Sequence, residues 1–248
     1  MKKIATIMGF VAIALFARAA VAAEITVLSA GAVQPGLAAA AAAFEKQTGH
    51  TLKITYATAP QIAARFRAGE SFDVIIAPPA VLDEFSRSGR TSDLQTVGRV
   101  GVGVEVREGA PLPDISSAEA LKRSLLAAES LVFNRASTGA YLETLFKNMG
   151  IAEQLEGKIT RYADGTAVHE HVLKGRGREI GFGAIPDILL HRDEGLRLVG
   201  PLPAEVQNYT SYAAAPIIAT ANTDRARAFV NYLASPASRA YFTTNGIE

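Results

Sequence analysis

Four short stretches of this chain carry residue types that can hold an anion without burying a counter-charge. They are Ser29-Ala30-Gly31-Ala32, Tyr56-Ala57-Thr58-Ala59-Pro60, Asn134-Arg135-Ala136-Ser137-Thr138-Gly139 and Ala163-Asp164-Gly165-Thr166. Each follows a β-branched run and precedes a helix-forming one, so each reads as a strand-to-helix junction. The first N–H groups of a helix lack intrahelical partners, and the helix dipole favours negative charge beside them. Small side chains let the backbone approach a guest closely, and hydroxyls add donors. Several such junctions in one small chain point to a cleft for a small anion.

The candidate ligand contacts are Ser29, Ala30, Gly31, Ala32, Thr58, Ala59, Arg135, Ser137, Thr138 and Thr166. Ser29 and Gly31 serve a ligand, or equally a helix cap and a tight turn; Thr58 caps the helix opening at Pro60 or turns its hydroxyl to a guest. Arg135 beside Ser137 and Thr138 offers a guanidinium, which grips a carboxylate through two parallel hydrogen bonds; the competing reading is a solvated surface charge. His169 and His171 lie two residues apart on one helix, a spacing that sends them to different faces, so no metal site is expected. No cofactor is expected. No Ser-His-Asp order, nucleophile-elbow pentapeptide or phosphate-binding loop signature stands in the sequence. Should the protein be an enzyme, the candidate bases are His169, His171, Tyr209 and Tyr212, without preference among them.

The elements that must position these residues follow an alternating pattern. Ile25–Leu28, Leu52–Tyr56 and Phe72–Ile76 read as strands, each followed by a helix, over 33–48, 60–68 and 79–86. That order predicts a parallel sheet covered on both faces. The run Val97–Val106 alternates small and β-branched residues and reads as the segment leaving this unit for a second one. There, strands at 131–133, 159–162, 180–182 and 196–199 are interleaved with helices at 118–127, 139–148, 167–174 and 186–190. Residues 212–219 read as a strand and 224–233 as a helix, with a last helix after Ser235-Pro236, and this coda returns to the first unit. The expected fold class is α/β with two lobes, each a mainly parallel sheet flanked by helices. The lobes are residues 24–97 plus 212–248, and 98–211, joined by a two-segment hinge near 93–98 and 207–212.

Residues 1–23 read as a signal peptide: Lys2 and Lys3, an apolar stretch from Ile4 to Ala17, and small residues at Ala20-Val21-Ala22 or Val21-Ala22-Ala23 for cleavage. Removing Lys2, Lys3 and Arg18 from the 25 basic residues leaves 22 against 24 acids, a net charge of −2. A mildly acidic protein has no electrostatic motive for nucleic acid, so no nucleic-acid partner is expected. The chain has no cysteine, which removes disulfides and thiolate chemistry together. Export, most simply to a Gram-negative periplasm, and a monomer are the expectations.

The chain resembles the periplasmic molybdate-binding proteins of ABC transporters and, more broadly, the type II periplasmic solute-binding proteins. The resemblance rests on Ile25–Ala32, Tyr56–Phe66, Phe72–Ala77, Thr138-Gly139-Ala140-Tyr141 and the closing Ala228-Phe229, Tyr232-Leu233, Ser235-Pro236 and Ala240. It implies a hinged two-lobed receptor that docks on an inner-membrane ABC permease. In that family hydroxyls of the first two loops and a late Tyr hold a tetrahedral oxyanion, and their positions fall here on Ala32, Ala59 and Ala184. Backbone donors would fall near Thr138 and Thr166. Losing three side-chain donors argues against molybdate or tungstate unless Ser29, Thr58, Ser137 and Thr138 replace them, and a small organic carboxylate fits better. The leading expectation is thus an ABC-type solute receptor. The resemblance also implies an alternative, an aconitate isomerase-like enzyme acting on a small polycarboxylate on the same scaffold.

Overall fold

The computed structural model describes residues 22–218 and 220–248; the expected signal peptide lies almost wholly outside them. Nine strands form one sheet in the order β2-β1-β3-β9-β4-β7-β5-β6, with β8 pairing against β4. The first part comprises β1 (Glu24–Ala30), α1 (Gln34–Thr48), β2 (Thr51–Ala57), α2 (Ala59–Arg67), β3 (Val74–Ala77) and α3 (Pro79–Arg87). Strand β4 (Gln95–Arg107) then leads to α4 (Ala118–Ala127), β5 (Ser130–Asn134), α5 (Ser137–Asn148) and the single turn α6 (Ala152–Leu155). Next come β6 (Ile159–Tyr162), α7 (Gly165–Lys174), β7 (Glu179–Ala184), α8 (Ile185–Leu190) and β8 (Leu196–Pro201). The chain closes with β9 (Tyr209–Pro216), α9 (Thr223–Leu233) and α10 (Pro236–Thr244). Among the described residues no helix is long and apolar enough to cross a membrane.

The expectation of two separate, mainly parallel sheets is corrected in one respect: the sheet is continuous and mixed. Strands β1, β2 and β3 pair in parallel, as do β5, β6 and β7. The antiparallel strands β4 and β9 stand between these two groups. Strand β4 is long enough, at 13 residues, to pair with β9 through its first half and with β7 and β8 through its second. Its glycines explain how one strand can be packed so tightly: a Cβ at Gly98 would press on Ile247 and one at Gly103 on Ile188.

Apolar side chains gather in two large clusters on the two parts of this sheet. One is built on Leu28, Ile75, Phe229 and Phe242, the other on Leu131, Phe133, Phe146 and Phe182. Phe44 packs against Phe229 with ring centroids 5.0 Å apart, and Phe133 meets Phe146 edge-on at 6.2 Å, geometries that add to their area burial. A half-buried polar clamp fixes the base of the first cluster. The Thr26 N–H and hydroxyl both donate to Asp73 Oδ2, at 2.8 and 2.9 Å, and Asp73 N–H donates back to Thr26 Oγ1 at 3.1 Å. This clamp lies at the amino ends of β1 and β3, away from the carboxyl ends where open α/β sheets bind ligands.

Candidate functional site: a cavity at the strand ends

The carboxyl ends of β1, β2, β5, β6 and β7 converge on one cavity of about 340 Å³, a volume suited to a guest of small-metabolite size. Its wall combines Ala30, Gly31 and Ala32, the stretch Tyr56–Ala59, the residues Ala136–Thr138, and Asp164–Thr166, with Gln34, Gln61, Asn134, Ala184, Asp187 and Tyr212. No lysine, arginine or histidine is among these lining residues. Any anion held here is held by N–H groups and neutral side chains.

The local sequence explains why donors are left over. No side chain caps α5; Asn134 Oδ1 instead accepts the N–H of Ala136, at 2.9 Å. That turn leaves the N–H groups of Ser137 and Thr138 for a guest. At α7 the Asp164 carboxylate accepts the N–H of Ala167, at 3.0 Å, which leaves those of Gly165 and Thr166. At α2, Gln61 Oε1 accepts the Thr58 N–H at 2.8 Å, and Pro60 brings no donor at all.

Most of the residues read from the sequence as ligand contacts meet at this wall: Ala30, Gly31, Ala32, Thr58, Ala59, Ser137, Thr138 and Thr166. Two do not. Ser29 is fully buried, and its hydroxyl donates to the carbonyl of Ala30 at 3.1 Å; this end of β1 is covered on both faces. Arg135 is exposed, and only its backbone N–H is engaged, on the Tyr162 carbonyl at 2.8 Å. The guanidinium grip expected there is absent from the wall. Tyr209 is exposed and lies under the Arg99 guanidinium, 4.4 Å from its ring centroid, and His171 Nδ1 meets the Tyr162 hydroxyl at 3.0 Å; neither residue lines the cavity. The three alanines aligned with the molybdate-binding hydroxyls, Ala32, Ala59 and Ala184, all stand on the wall.

Behind the wall lies a charged chain of which the sequence reading named only His169. His169 on α7 is buried, its Nδ1 3.1 and 3.0 Å from the two oxygens of Glu105 on β4. Its Nε2 lies 3.1 Å from Oδ2 of Asp187, in the first turn of α8. Glu105 is wholly buried, whereas Asp187 is partly exposed and reaches the cavity. Space for the glutamate comes from the strand opposite, because Glu105 pairs with Gly181 and a Cβ there would lie 2.5 Å from Glu105 Oε1. Two carboxylates as acceptors require both ring nitrogens of His169 to donate, which makes it an imidazolium. Burial alone would lower its pKa, but the hydrogen bonds and charges of Asp187 and Glu105 win and raise it from 6.5 to about 10. Burial pushes Glu105 above the usual carboxylate range against the pull of His169. Burial also raises the Tyr212 hydroxyl, helped by the charge of Asp187, and raises Tyr56 to about 12.

His169, Asp187 and His191 offer donor atoms within 4.8 Å of one another. A divalent cation can span that distance, but both nitrogens of His169 are already engaged by carboxylates.

A raised folded-state pKa has a signed consequence for stability. The contribution of His169 is fully present below its unfolded value of 6.5 and is lost as pH climbs through about 10. Unfolding free energy measured in urea is expected to fall across that window, and His169→Gln to flatten the fall. An equal slope in wild type and variant would exclude the imidazolium.

The strand order and the cavity at the strand ends define the architecture of a type II periplasmic binding protein. The chain belongs to the family of bacterial extracellular solute-binding proteins, whose model it matches over residues 25–248. It is 30% identical over 232 residues to an aconitate isomerase from a Pseudomonas species, spanning 90% of this chain and 87% of that protein. Among solved structures it is similar to the periplasmic molybdate-binding protein of Azotobacter vinelandii, with a TM-score of 0.75 at 18% identity, over 91% of this chain and 99% of that one. It is also similar to PEB3 of Campylobacter jejuni in its L-phospholactate-bound form, with a TM-score of 0.70 at 12% identity, over 90% and 98% of the two chains.

Proposed function

We propose that this protein is an exported, periplasmic isomerase of a small unsaturated polycarboxylate, built on a solute-binding scaffold. The observation that carries this reading is a cavity with N–H and hydroxyl donors for carboxylates that also presents the carboxylate of Asp187. For a receptor of anions, that group is a repulsive cost; for proton abstraction beside a carboxylate it is the required base. The 30% identity to an aconitate isomerase supports the same reading. Molybdate is disfavoured because Ala32, Ala59 and Ala184 supply no hydroxyls, and each unpaired oxygen costs roughly 1–3 kcal/mol.

Family membership favours a second reading, a receptor that delivers the same acid to an ABC permease without altering it. Either job requires the cavity to open. The two apolar clusters support a division into residues 24–97 plus 212–248 and residues 98–211, with β4 and β9 as the segments that bend.

One experiment separates the readings. Purified protein is incubated with trans-aconitate and followed by proton NMR, beside thermal denaturation with trans-aconitate, citrate, molybdate, tungstate and sulfate. Conversion to the cis isomer is the expected result. Stabilisation by the acid without conversion selects the receptor, and stabilisation by molybdate alone overturns the carboxylate assignment.

A further inference from the structure

We propose that Asp187 is the catalytic base of this site and that His169 and Glu105 are its positioning residues. The inference rests on the isomerase reading and goes beyond it by assigning the group that moves the proton.

Elimination among the lining groups leads to Asp187. Asp164, the other lining carboxylate, is committed to capping α7 through the N–H of Ala167. The hydroxyls of Tyr56 and Tyr212 are held protonated at neutral pH by burial. Asp187 touches the cavity, and its Oδ2 takes one hydrogen bond, from His169 Nε2. The chain behind it is built for orientation: Glu105 accepts Nδ1–H with both oxygens and fixes the plane of the ring, while the second N–H pins one oxygen of Asp187. The titratable groups around Asp187 are His169 on α7, Glu105 behind it on β4, Tyr212 on β9, His191 just past the end of α8, and Asp164 on the same wall. His169 is the group in this set that contacts Asp187 directly, at 3.1 Å, and it orients the carboxylate.

The step is balanced by one proton. The Asp187 carboxylate takes H⁺ from a CH₂ flanked by a carboxylate and the double bond. The C–H electron pair enters the three-carbon unit as a dienolate, and the double bond shifts by one position. A proton is delivered to the far carbon and Asp187 ends as the carboxylate; nothing is oxidised or reduced. The starts of α5 and α7, with their uncommitted N–H groups, line the same cavity as Asp187 and supply donors for the carboxylate on which the dienolate charge accumulates.

The test compares wild type, Asp187→Asn and His169→Gln by turnover of trans-aconitate and by thermal shift with tricarballylate, a saturated analogue that cannot isomerise. Asp187→Asn is expected to lose about 10²–10⁴-fold in kcat while tricarballylate still stabilises it. Wild type that turns over while Asp187→Asn keeps a tenth or more of its kcat overturns the assignment of the base. Wild type that binds tricarballylate without turnover overturns the isomerase reading itself. For His169→Gln, kcat is expected to fall about tenfold or more while KM for trans-aconitate stays within about twofold, because the base loses the contact that orients it; an unchanged kcat, or a loss shared equally by KM, overturns the positioning role. Activity abolished by EDTA and restored by zinc also overturns the proposal, since the cluster would then be working through a metal.

Discussion

Glu105→Ala is expected to lower the unfolding free energy by about 3–5 kcal/mol, measured by urea denaturation at pH 6, where His169 is charged. The magnitude follows from breaking a buried ion pair on one side only: the partner keeps its desolvation cost and loses its attraction. Glu105 is fully buried and both its oxygens face His169 Nδ1. The cost is smaller at pH 8, because an imidazole without Glu105 can shed its proton and still donate Nε2–H to Asp187. Replacing both partners with apolar residues of similar volume, as in Glu105→Leu with His169→Leu, is expected to restore most of the stability, in line with other buried pairs. The double variant should nevertheless be inactive. A double variant as unstable as the single one would mean that the pair holds the fold together. Recovery of stability without activity would mean that it is kept for its chemistry.

That charged chain is the part of the site that could not be read along the sequence. Its three members come from β4, α7 and α8, with Glu105 and His169 separated by 64 positions and His169 and Asp187 by 18. Only the antiparallel register of β4 on β7 brings them together. Two local signals were present. One was an acid inside the otherwise apolar run Val-Gly-Val-Gly-Val-Glu-Val, which a buried strand tolerates only with a partner. The other was Gly181, whose lack of a side chain makes room for that acid.

The junctions, by contrast, are local objects. An Asn-x-x-Ser-Thr-Gly or Ala-Asp-Gly-Thr stretch sets its own turn and helix start, so Ser137, Thr138 and Thr166 were legible without tertiary information, and the structure places all three on the wall. Arg135 stands outside the wall, as its surface-charge reading allowed, because loop geometry fixes the backbone of a residue and not the direction of a long side chain. Ser29 stands outside the wall because it is the penultimate residue of β1, whose last four residues are all buried. For the fold, the sequence of elements was legible from hydrophobic periodicity. The continuity of β4 through both parts of the sheet was not, since pairing on two sides of one strand is a long-range property.

Gly139→Ala tests the junction that carries two of the four uncommitted N–H donors of α5 and α7. Gly139 is buried in the first turn of α5, and a Cβ built there would collide with the carbonyl oxygen of Asn134, at the end of β5. Neither partner is a flexible side-chain tip, so the helix start must shift or unwind. An alanine in an open helix would gain about 1 kcal/mol over glycine; here overpacking is expected to outweigh that and leave a net loss of about 1–3 kcal/mol. The displaced backbone carries the N–H groups of Ser137 and Thr138 with it, so KM for trans-aconitate, or Kd for tricarballylate, should rise at least tenfold in the folded protein. Gly157→Ala is the matched control, because a Cβ at Gly157 meets nothing within 4 Å; it should change stability by less than about 0.5 kcal/mol and leave binding untouched. Equal binding by wild type and Gly139→Ala would mean that the start of α5 does not hold the guest. The anion would then have to rest on the N–H groups of Gly165 and Thr166 alone.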